Sequence, residues 1–293
     1  MAITIQGLKF LLAAREAGVS FERFCMIGRQ ALMIDPSALR KLVGRAGSAL
    51  SREQCRDLFQ QAGGFAEPLL RLLGAREIDS VDASAFEGAS IIHDMNVPIG
   101  DRYRNRFSAV LDGGSLEHVF DFPCAIRNCM EMVAPGGYFL ALTPANNWLG
   151  HGFYQFSPEL FFRVFCPDNG FEPPQVIAWE MYPNAPWYQV VDPAERGARV
   201  KLVNRRPTCL FVLARKAGGS ACLCTVPQQS DYQAKWQKEP KGRAPRRKLP
   251  LPRSMREFFR NMRSRFRHPF DTRYFKLLAG SSLPVRESNK KVG

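Results

Sequence analysis

The middle of the chain alternates between short apolar runs and segments with apolar residues at helical spacing. Three short segments that read as strands end in an acid, at residues 77–82, 90–94 and 107–112. Runs of this length, rich in β-branched and aromatic residues and closed by acidic or small residues, are typical of strands. Helices are indicated between and after them. The clearest begins at Ser157-Pro158, where serine is a suitable cap and proline suits the first turn.

This alternation predicts a parallel sheet with helices on both faces. The predicted strands lie at residues 21–27, 77–82, 90–94, 107–112, 138–143, 175–180 and 208–215. The last two follow each other without a clear helix between them, so we expect one of them to be antiparallel. The expected fold is therefore α/β, a seven-stranded, mostly parallel, doubly wound sheet with a basic C-terminal extension.

The positive charge is concentrated C-terminal to this domain. The chain has a net charge of +14, and residues 238–276 hold 14 Lys and Arg against three acids. Residues 238–253 contain four prolines and seven basic residues, so we expect no packed core there. We predict an α/β domain at 1–216, a Pro-rich basic linker at 217–253, and a basic amphipathic helix and tail at 254–293.

The C-terminal segment has a helical apolar pattern with a basic stripe beside it. The apolar positions are Met255, Phe258, Phe259, Met262 and Phe266, and the basic ones are Arg256, Arg260, Arg263 and Arg267. Such a helix is typical of elements that lie on an anionic membrane surface. Basic clusters also bind nucleic acid, which is the less favoured partner because few aromatic residues interleave with the basic run. A helix packed on its own domain and a solvated tail are the remaining alternatives.

Several other classes of protein are disfavoured. No run approaches the roughly 18 consecutive apolar residues of a membrane span, and the N-terminus lacks the pattern of a signal peptide. The eight cysteines are scattered, which indicates buried thiols and not disulfides. Cys222 and Cys224 form a close pair with no histidine nearby, so no metal site is predicted. We expect a cytoplasmic protein, peripheral at the inner face of the membrane where the basic helix binds it.

Residues 107–147 carry a resemblance to a known family. They form a strand ending in Asp112, then Ser115-Leu-Glu-His-Val, a helix, Pro135-Gly-Gly and a second strand. With the order of segments over residues 21–216, this resembles the class I S-adenosylmethionine-dependent methyltransferases, which have a Rossmann-like fold. The resemblance implies S-adenosylmethionine as cofactor. Its implied contacts are Gly28 at the methionine part, Asp82 at the ribose, Asp94 near the adenine, and Asp112 with Gly113 at the reaction centre.

Two histidines and one loop are candidates for the chemistry. His118 or His151 could remove a proton from an acceptor, because the pKa of histidine suits that task near neutrality. The loop after the fifth strand offers Asn146, Asn147, Tyr154 and Gln155 as acceptor contacts. This mixture suits an acceptor with several hydroxyls, such as a glycan or glycolipid precursor. The alternatives are a packed histidine, amides that satisfy turn backbone, and acids that cap turns.

The first turn departs from the family pattern. It reads Gly28-Arg29-Gln30, with one glycine where the family usually has several, and roughly fifty residues separate this strand from the next. Arg29 either pairs with the cofactor's carboxylate or fills the space that the cofactor needs. The implied function is methyl transfer to an unknown acceptor. The alternative is a catalytically silent methyltransferase-like module that acts as a scaffold at a membrane or nucleic-acid surface.

Overall fold

The computed structural model describes residues 2–218, 223–237 and 269–284. The strands are β1 Ala2–Thr4, β2 Arg23–Ile27, β3 Ala31–Met33, β4 Glu77–Asp82, β5 Ile91–Ile92, β6 Phe107–Asp112, β7 Val133–Asn146, β8 Gln175–Glu180, β9 Tyr188–Val190, β10 Thr208–Arg215 and β11 Phe275–Leu277. The helices are α1 Ile5–Glu16, α2 Pro36–Arg45, α3 Arg52–Gln60, α4 Glu67–Leu72, α5 Phe122–Met132, α6 Pro158–Val164, α7 Pro193–Arg196 and α8 Ser230–Trp236. Short 3₁₀ helices lie at Gln61–Gly64, Asp101–Tyr103, Leu116–His118 and Pro167–Asn169.

Within the described residues, the main sheet has nine strands in the order β11-β9-β8-β10-β7-β6-β2-β4-β5. Strands β5, β4, β2, β6 and β7 are parallel, and β10 is antiparallel to both of its neighbours. The predicted α/β class and mostly parallel core are confirmed, and all seven predicted strands are present. The predicted number was too low, because β9 and β11 are three-residue strands that are too short to show a pattern.

Both faces of the sheet are buried, as expected for parallel strands between helical layers. In β2, Cys25 and Ile27 join the core under α5 and α6, while Phe24 and Met26 join the core under α1, α2 and α4. The seven cysteines that the structure describes are free thiols, five of them buried. This agrees with the expected absence of disulfides in that part of the chain.

The long segment between β2 and β4 contains strand β3 and helices α2, α3 and α4. Strand β3 pairs in parallel with β1 in a separate two-stranded sheet. Helix α2 then begins at Asp35, whose side chain accepts hydrogen bonds from the first turn, and α3 begins at Ser51 with a capping box to Gln54. Aspartate and serine are both residues that are favoured at the start of a helix. The insertion accounts for the roughly fifty residues between the first two strands of the main sheet.

The order of the strands reverses between β2 and β6. From β2 the chain continues to β4 and β5 on one side, and then crosses to β6 and β7 on the other. In open α/β sheets, ligands bind in the crevice outside the carboxyl ends of the strands at such a reversal. The turns after β2 and β6 therefore border the expected site.

The described parts of the C-terminal extension pack against the α/β domain. The Ser230 amide, at the start of α8, donates to Glu159 Oε1 at 2.9 Å. Phe270 is buried and its ring stacks on Tyr188 with centroids 4.0 Å apart, and β11 adds to the edge of the sheet beside β9. Residues Arg256, Arg260, Arg263 and Arg267 lie outside the described residues. Of the helices the structure describes, none has the length and apolar character needed to cross a membrane.

Candidate functional site

Gln30 fills the space between the turns that follow β2 and β6. Its side chain is fully buried, and its amide nitrogen donates to the carbonyl oxygens of Ile27 at 3.0 Å and Gly28 at 3.1 Å. A Cβ at Gly113 would lie only 2.3 Å from Gln30 Oε1, so a side chain at this position would displace the end of the Gln30 side chain. Gln30 Oε1 itself is buried without a hydrogen-bond partner. The first turn is thus occupied by a side chain that has one unsatisfied polar atom.

Arg29 spans the neighbouring part of the crevice. Its Nε lies 2.6 Å from Glu67 Oε1 on α4, and its guanidinium donates to the carbonyl of Glu87, in the loop after β4, at 2.8 Å. The guanidinium carbon also lies 4.0 Å from the centre of the Phe65 ring. Arg29 therefore ties α4 to the loop beyond Asp82, across the carboxyl end of β4.

The two acids proposed for the nucleoside lie at the rim. Asp82 ends β4 and is half-buried, and its carboxylate accepts from the amide of Ser84 at 3.2 Å. Asp94 is exposed in the turn after β5 and accepts from the amide and side chain of Asn96. These hydrogen bonds hold the pKa of Asp94 below its usual value. Both carboxylates shape turns, and neither forms an ion pair within the described part of the chain.

Asp112 stabilises the turn after β6. It is 1% exposed, and its Oδ1 accepts from the amides of Gly114, Ser115 and Leu116, which fixes the turn after β6. The hydroxyl of Ser115 donates across to the carbonyl of Ile27 in β2. Burial raises the pKa of Asp112 to about 6, although the amide hydrogen bonds oppose that rise. Asp112 joins the turns of β2 and β6 and is not open to a ligand.

Glu117, His118 and His151 form a cluster beside this turn. Glu117 Oε1 lies 3.4 Å from His151 Nε2, and the rings of the two histidines meet edge to face with centroids 5.0 Å apart. Burial raises the pKa of Glu117 to about 8, and the nearby Asp112 adds to the rise. Partial burial lowers the pKa of His118, and His151 lowers it further. At neutral pH the His118 imidazole is therefore neutral and able to accept a proton.

The loop after β7 is held by its own polar side chains. Asn146 donates to Asn204 at 2.8 Å, and Asn147 donates to the carbonyl of Arg206 at 2.9 Å. The Tyr154 hydroxyl donates to the carbonyl of Phe120 at 2.6 Å, and Gln155 Oε1 accepts from the amide of Trp148 at 2.9 Å. All four predicted acceptor contacts thus have partners within the chain, and the loop also exposes Leu149, His151 and Phe153.

The residues at the predicted adenosine end of the crevice can bind S-adenosylmethionine, whereas those at the predicted methionine end occupy the space that it needs. At the adenosine end, Asp82 and Asp94 are accessible carboxylates that can accept from ribose hydroxyls and polar adenine edges. At the methionine end, Gln30 occupies the turn and Arg29 crosses the crevice in the conformation described. Binding of the cofactor there requires both side chains to withdraw.

The sequence indicates two features of the site only weakly. Gln30 is one of two long side chains in the first turn that could fill the space the cofactor needs, and Glu117 is not among the predicted site residues. Each acts through a contact with a distant segment, Gln30 with Gly113 and Glu117 with His151. The only available signals were a long polar side chain where the family has glycine, and an acid directly before His118.

No protein-family model matches the chain, and no curated protein matches its sequence. Solved structures that match the chain include a SAM-dependent methyltransferase from Thermotoga maritima, at 15% identity and a TM-score of 0.39, covering 71% of this chain and 88% of that one. The 1,6-didemethyltoxoflavin-N1-methyltransferase of Burkholderia thailandensis, solved with S-adenosylhomocysteine, gives 13% identity and a TM-score of 0.38, covering 73% and 79%.

A third similar structure is the branched-chain polyamine synthase of Thermus thermophilus, solved with N4-aminopropylspermidine and 5'-methylthioadenosine. It gives 12% identity and a TM-score of 0.36, covering 78% of this chain and 61% of that one. With TM-scores below 0.5 and identities of 12–15%, these matches carry no argument about the family or the activity of this chain.

Proposed function

We propose that the chain is an S-adenosylmethionine-dependent methyltransferase that acts on a small-molecule acceptor. One observation carries the proposal: the strand order reverses between β2 and β6, and the adjacent strand β4 ends in Asp82, whose carboxylate has no ion-pair partner among the described residues. This is the position at which α/β sheets bind nucleosides. When bound, the cofactor supplies an electrophilic methyl group.

The chain's own residues would bind the cofactor and prepare the acceptor. Asp82 accepts from the ribose hydroxyls, and Asp94 lies toward the adenine. Arg29, once released from Glu67, can pair with the cofactor's carboxylate through two parallel hydrogen bonds. His118, whose pKa is lowered, accepts a proton from the acceptor, and His151 lies beside it.

For the acceptor we propose a glycan or glycolipid precursor. Large apolar side chains are exposed near the two histidines: Phe120 and Phe153, whose rings meet edge to face at 5.8 Å, and Leu149, which is 94% exposed. An apolar rim beside polar chemistry suits an acceptor with both sugar and lipid parts. The basic residues Arg256, Arg260, Arg263 and Arg267 would bring the site to an anionic membrane surface.

Binding of S-adenosylhomocysteine tests the activity proposal. A ligand that binds only the folded state stabilises it by about 2.7 kcal/mol at a hundred times its Kd. We expect the full chain to show a thermal shift, and Asp82→Asn to weaken it strongly. Asp168→Asn is the matched control, because Asp168 is an accessible aspartate that precedes β8 and so lies at the opposite edge of the sheet. An equal loss in both variants would remove the proposed role of Asp82.

Gln30 and Arg29 favour a second candidate, the catalytically silent module. Their side chains fill the place of the methionine part and hold the crevice closed through Glu67 and Glu87. No thermal shift at millimolar S-adenosylhomocysteine would support this candidate and end the methyltransferase proposal.

The membrane and acceptor proposals have a separate test. Vesicles with anionic lipid should bind the full chain and release it in high salt. Changing the four arginines to glutamine should abolish that binding. Incubation of a cell extract with labelled S-adenosylmethionine should place the label in the lipid-extractable fraction, and label confined to protein or nucleic acid would contradict the proposed acceptor.

A further inference from the structure

We propose that Glu117, His118 and His151 form a binding site for a divalent transition-metal ion. Glu117 and His118 belong to the 3₁₀ helix after β6, and His151 comes from the loop after β7. One ligand atom from each side chain lies within 4.8 Å of the other two, and Glu117 Oε1 is 3.4 Å from His151 Nε2. This site is additional to the proposed methyltransferase function and to the expectation from the sequence, which predicted no metal.

The backbone holds the two segments in contact. The carbonyl of Glu117 accepts from the amide of Phe153 at 2.7 Å and from that of Tyr154 at 3.3 Å. Gly152 has a φ of +68°, and a Cβ there would lie 2.7 Å from the same carbonyl oxygen. Only glycine therefore allows the loop to approach this closely. The approach places the His151 ring beside the Glu117 side chain.

The burial and the incomplete hydrogen bonding of the Glu117 side chain are a second observation that points to a ligand. It is 1% exposed, its Oε1 faces His151, and its Oε2 is buried without a hydrogen-bond partner. Leaving a buried carboxyl oxygen unsatisfied costs free energy. The contact with His151 accounts for only one of the two oxygens, whereas a cation at the cluster would give the carboxylate a second partner.

The donor set selects the class of metal. Two imidazoles and one carboxylate are the ligands of non-haem Fe²⁺ sites and of catalytic Zn²⁺ sites, and they leave coordination positions open. Mg²⁺ and Ca²⁺ prefer all-oxygen sites. Both histidines are exposed, so small side-chain rotations can bring their nitrogens to about 2.0–2.2 Å from an ion bound to Glu117. The site therefore fits Zn²⁺, Fe²⁺ or Co²⁺.

With an ion bound, His118 would be a ligand and no longer the proton acceptor. At an open coordination position the ion could instead bind an acceptor hydroxyl oxygen and lower its pKa. This role, unlike metal binding itself, rests on the proposed methyltransferase function.

Titration with Co²⁺ tests the site, because cobalt in a nitrogen and oxygen environment has visible absorption bands. The full chain is first treated with chelator and carries Cys224→Ser, since the Cys224 thiol is exposed. We expect one equivalent of bound Co²⁺, also found by metal analysis after dialysis. Glu117→Gln and His151→Ala should each weaken binding by about tenfold or more.

His93→Ala is the matched control, because His93 is outside the cluster and its Nε2 lies 3.1 Å from the carbonyl of Val97. It should bind Co²⁺ like the parent. Circular dichroism checks that the variants are folded, and His151→Ala changes an exposed side chain, so it remains informative if Glu117→Gln unfolds. Binding of Co²⁺ unchanged in His151→Ala, or no binding by the parent at millimolar Co²⁺, would overturn the proposal. Titration of S-adenosylhomocysteine in chelator tests the methyltransferase proposal separately.

Discussion

Releasing Arg29 from Glu67 should make the crevice at the carboxyl end of β4 easier to open. Arg29 Nε donates to Glu67 Oε1 at 2.6 Å, and the guanidinium also donates to the carbonyl of Glu87 at 2.8 Å. Glu67→Gln removes the negative charge of one anchor. It leaves Arg29 in place and available to a ligand, which a substitution of Arg29 itself would not do.

The magnitude follows from the burial of this pair. A hydrogen bond to a charged group contributes about 1.5–3 kcal/mol. Both side chains are 20% exposed, so solvent screening reduces that to about 1–2 kcal/mol. Since opening breaks this contact in the wild type, the apparent Kd for S-adenosylhomocysteine should fall by about 5- to 30-fold in the variant. Without ligand, the free energy of unfolding should fall by the same 1–2 kcal/mol or so.

Isothermal titration calorimetry measures the affinity, and urea denaturation measures the stability. Glu53→Gln is the matched control, because Glu53 lies in the first turn of α3 as Glu67 lies in the first turn of α4, and it has no ion pair among the described residues. Both changes lose a similar interaction with the helix dipole. Unchanged or weaker binding by Glu67→Gln would refute the reasoning that Arg29 holds the crevice closed.

Three further outcomes are expected. Burial raises the pKa of Glu117 from its ordinary value of 4.5 to about 8, so the folded state keeps a proton that the unfolded chain loses, and stability falls as pH rises through this window. Glu117→Gln should flatten that fall, measured by urea denaturation in chelator at about pH 5 and about pH 8, and an equal slope would contradict it. Phe275→Ala should lower the free energy of unfolding by about 3–5 kcal/mol, because Phe275 is 3% exposed, whereas Leu277→Ala, 66% exposed on the same strand, should change it little. Gly152→Ala should cost roughly 1–3 kcal/mol through its left-handed backbone, and full stability would argue against the close approach to Glu117.

The sequence predicted the sheet well because most strands are buried on both faces. Residues of β6 and β10 read as continuous apolar runs, and helices begin at recognisable caps such as Ser51 and Ser157. The short edge strands could not be predicted. β11 is stabilised by its pairing with β9 and by the stacking of Phe270 on Tyr188, which are tertiary contacts with no local pattern.

The site was predictable only at the ends of the strands. Asp82 and Asp112 end predicted strands, so their positions at the carboxyl edge of the sheet could be predicted from the sequence. The burial and hydrogen bonding of these carboxylates could not be predicted, because the burial of Asp112 depends on the folded turn that it caps. The filling of the first turn by Gln30, and the meeting of Glu117 with His151, both depend on how separate loops approach each other.

A crystal structure of the chain grown with S-adenosylhomocysteine tests the central claim most directly. Our account predicts the ribose on Asp82, with Gln30 withdrawn from Gly113 and Arg29 separated from Glu67. A structure at saturating ligand in which Gln30 still fills the first turn, with no nucleoside beside Asp82, would contradict it.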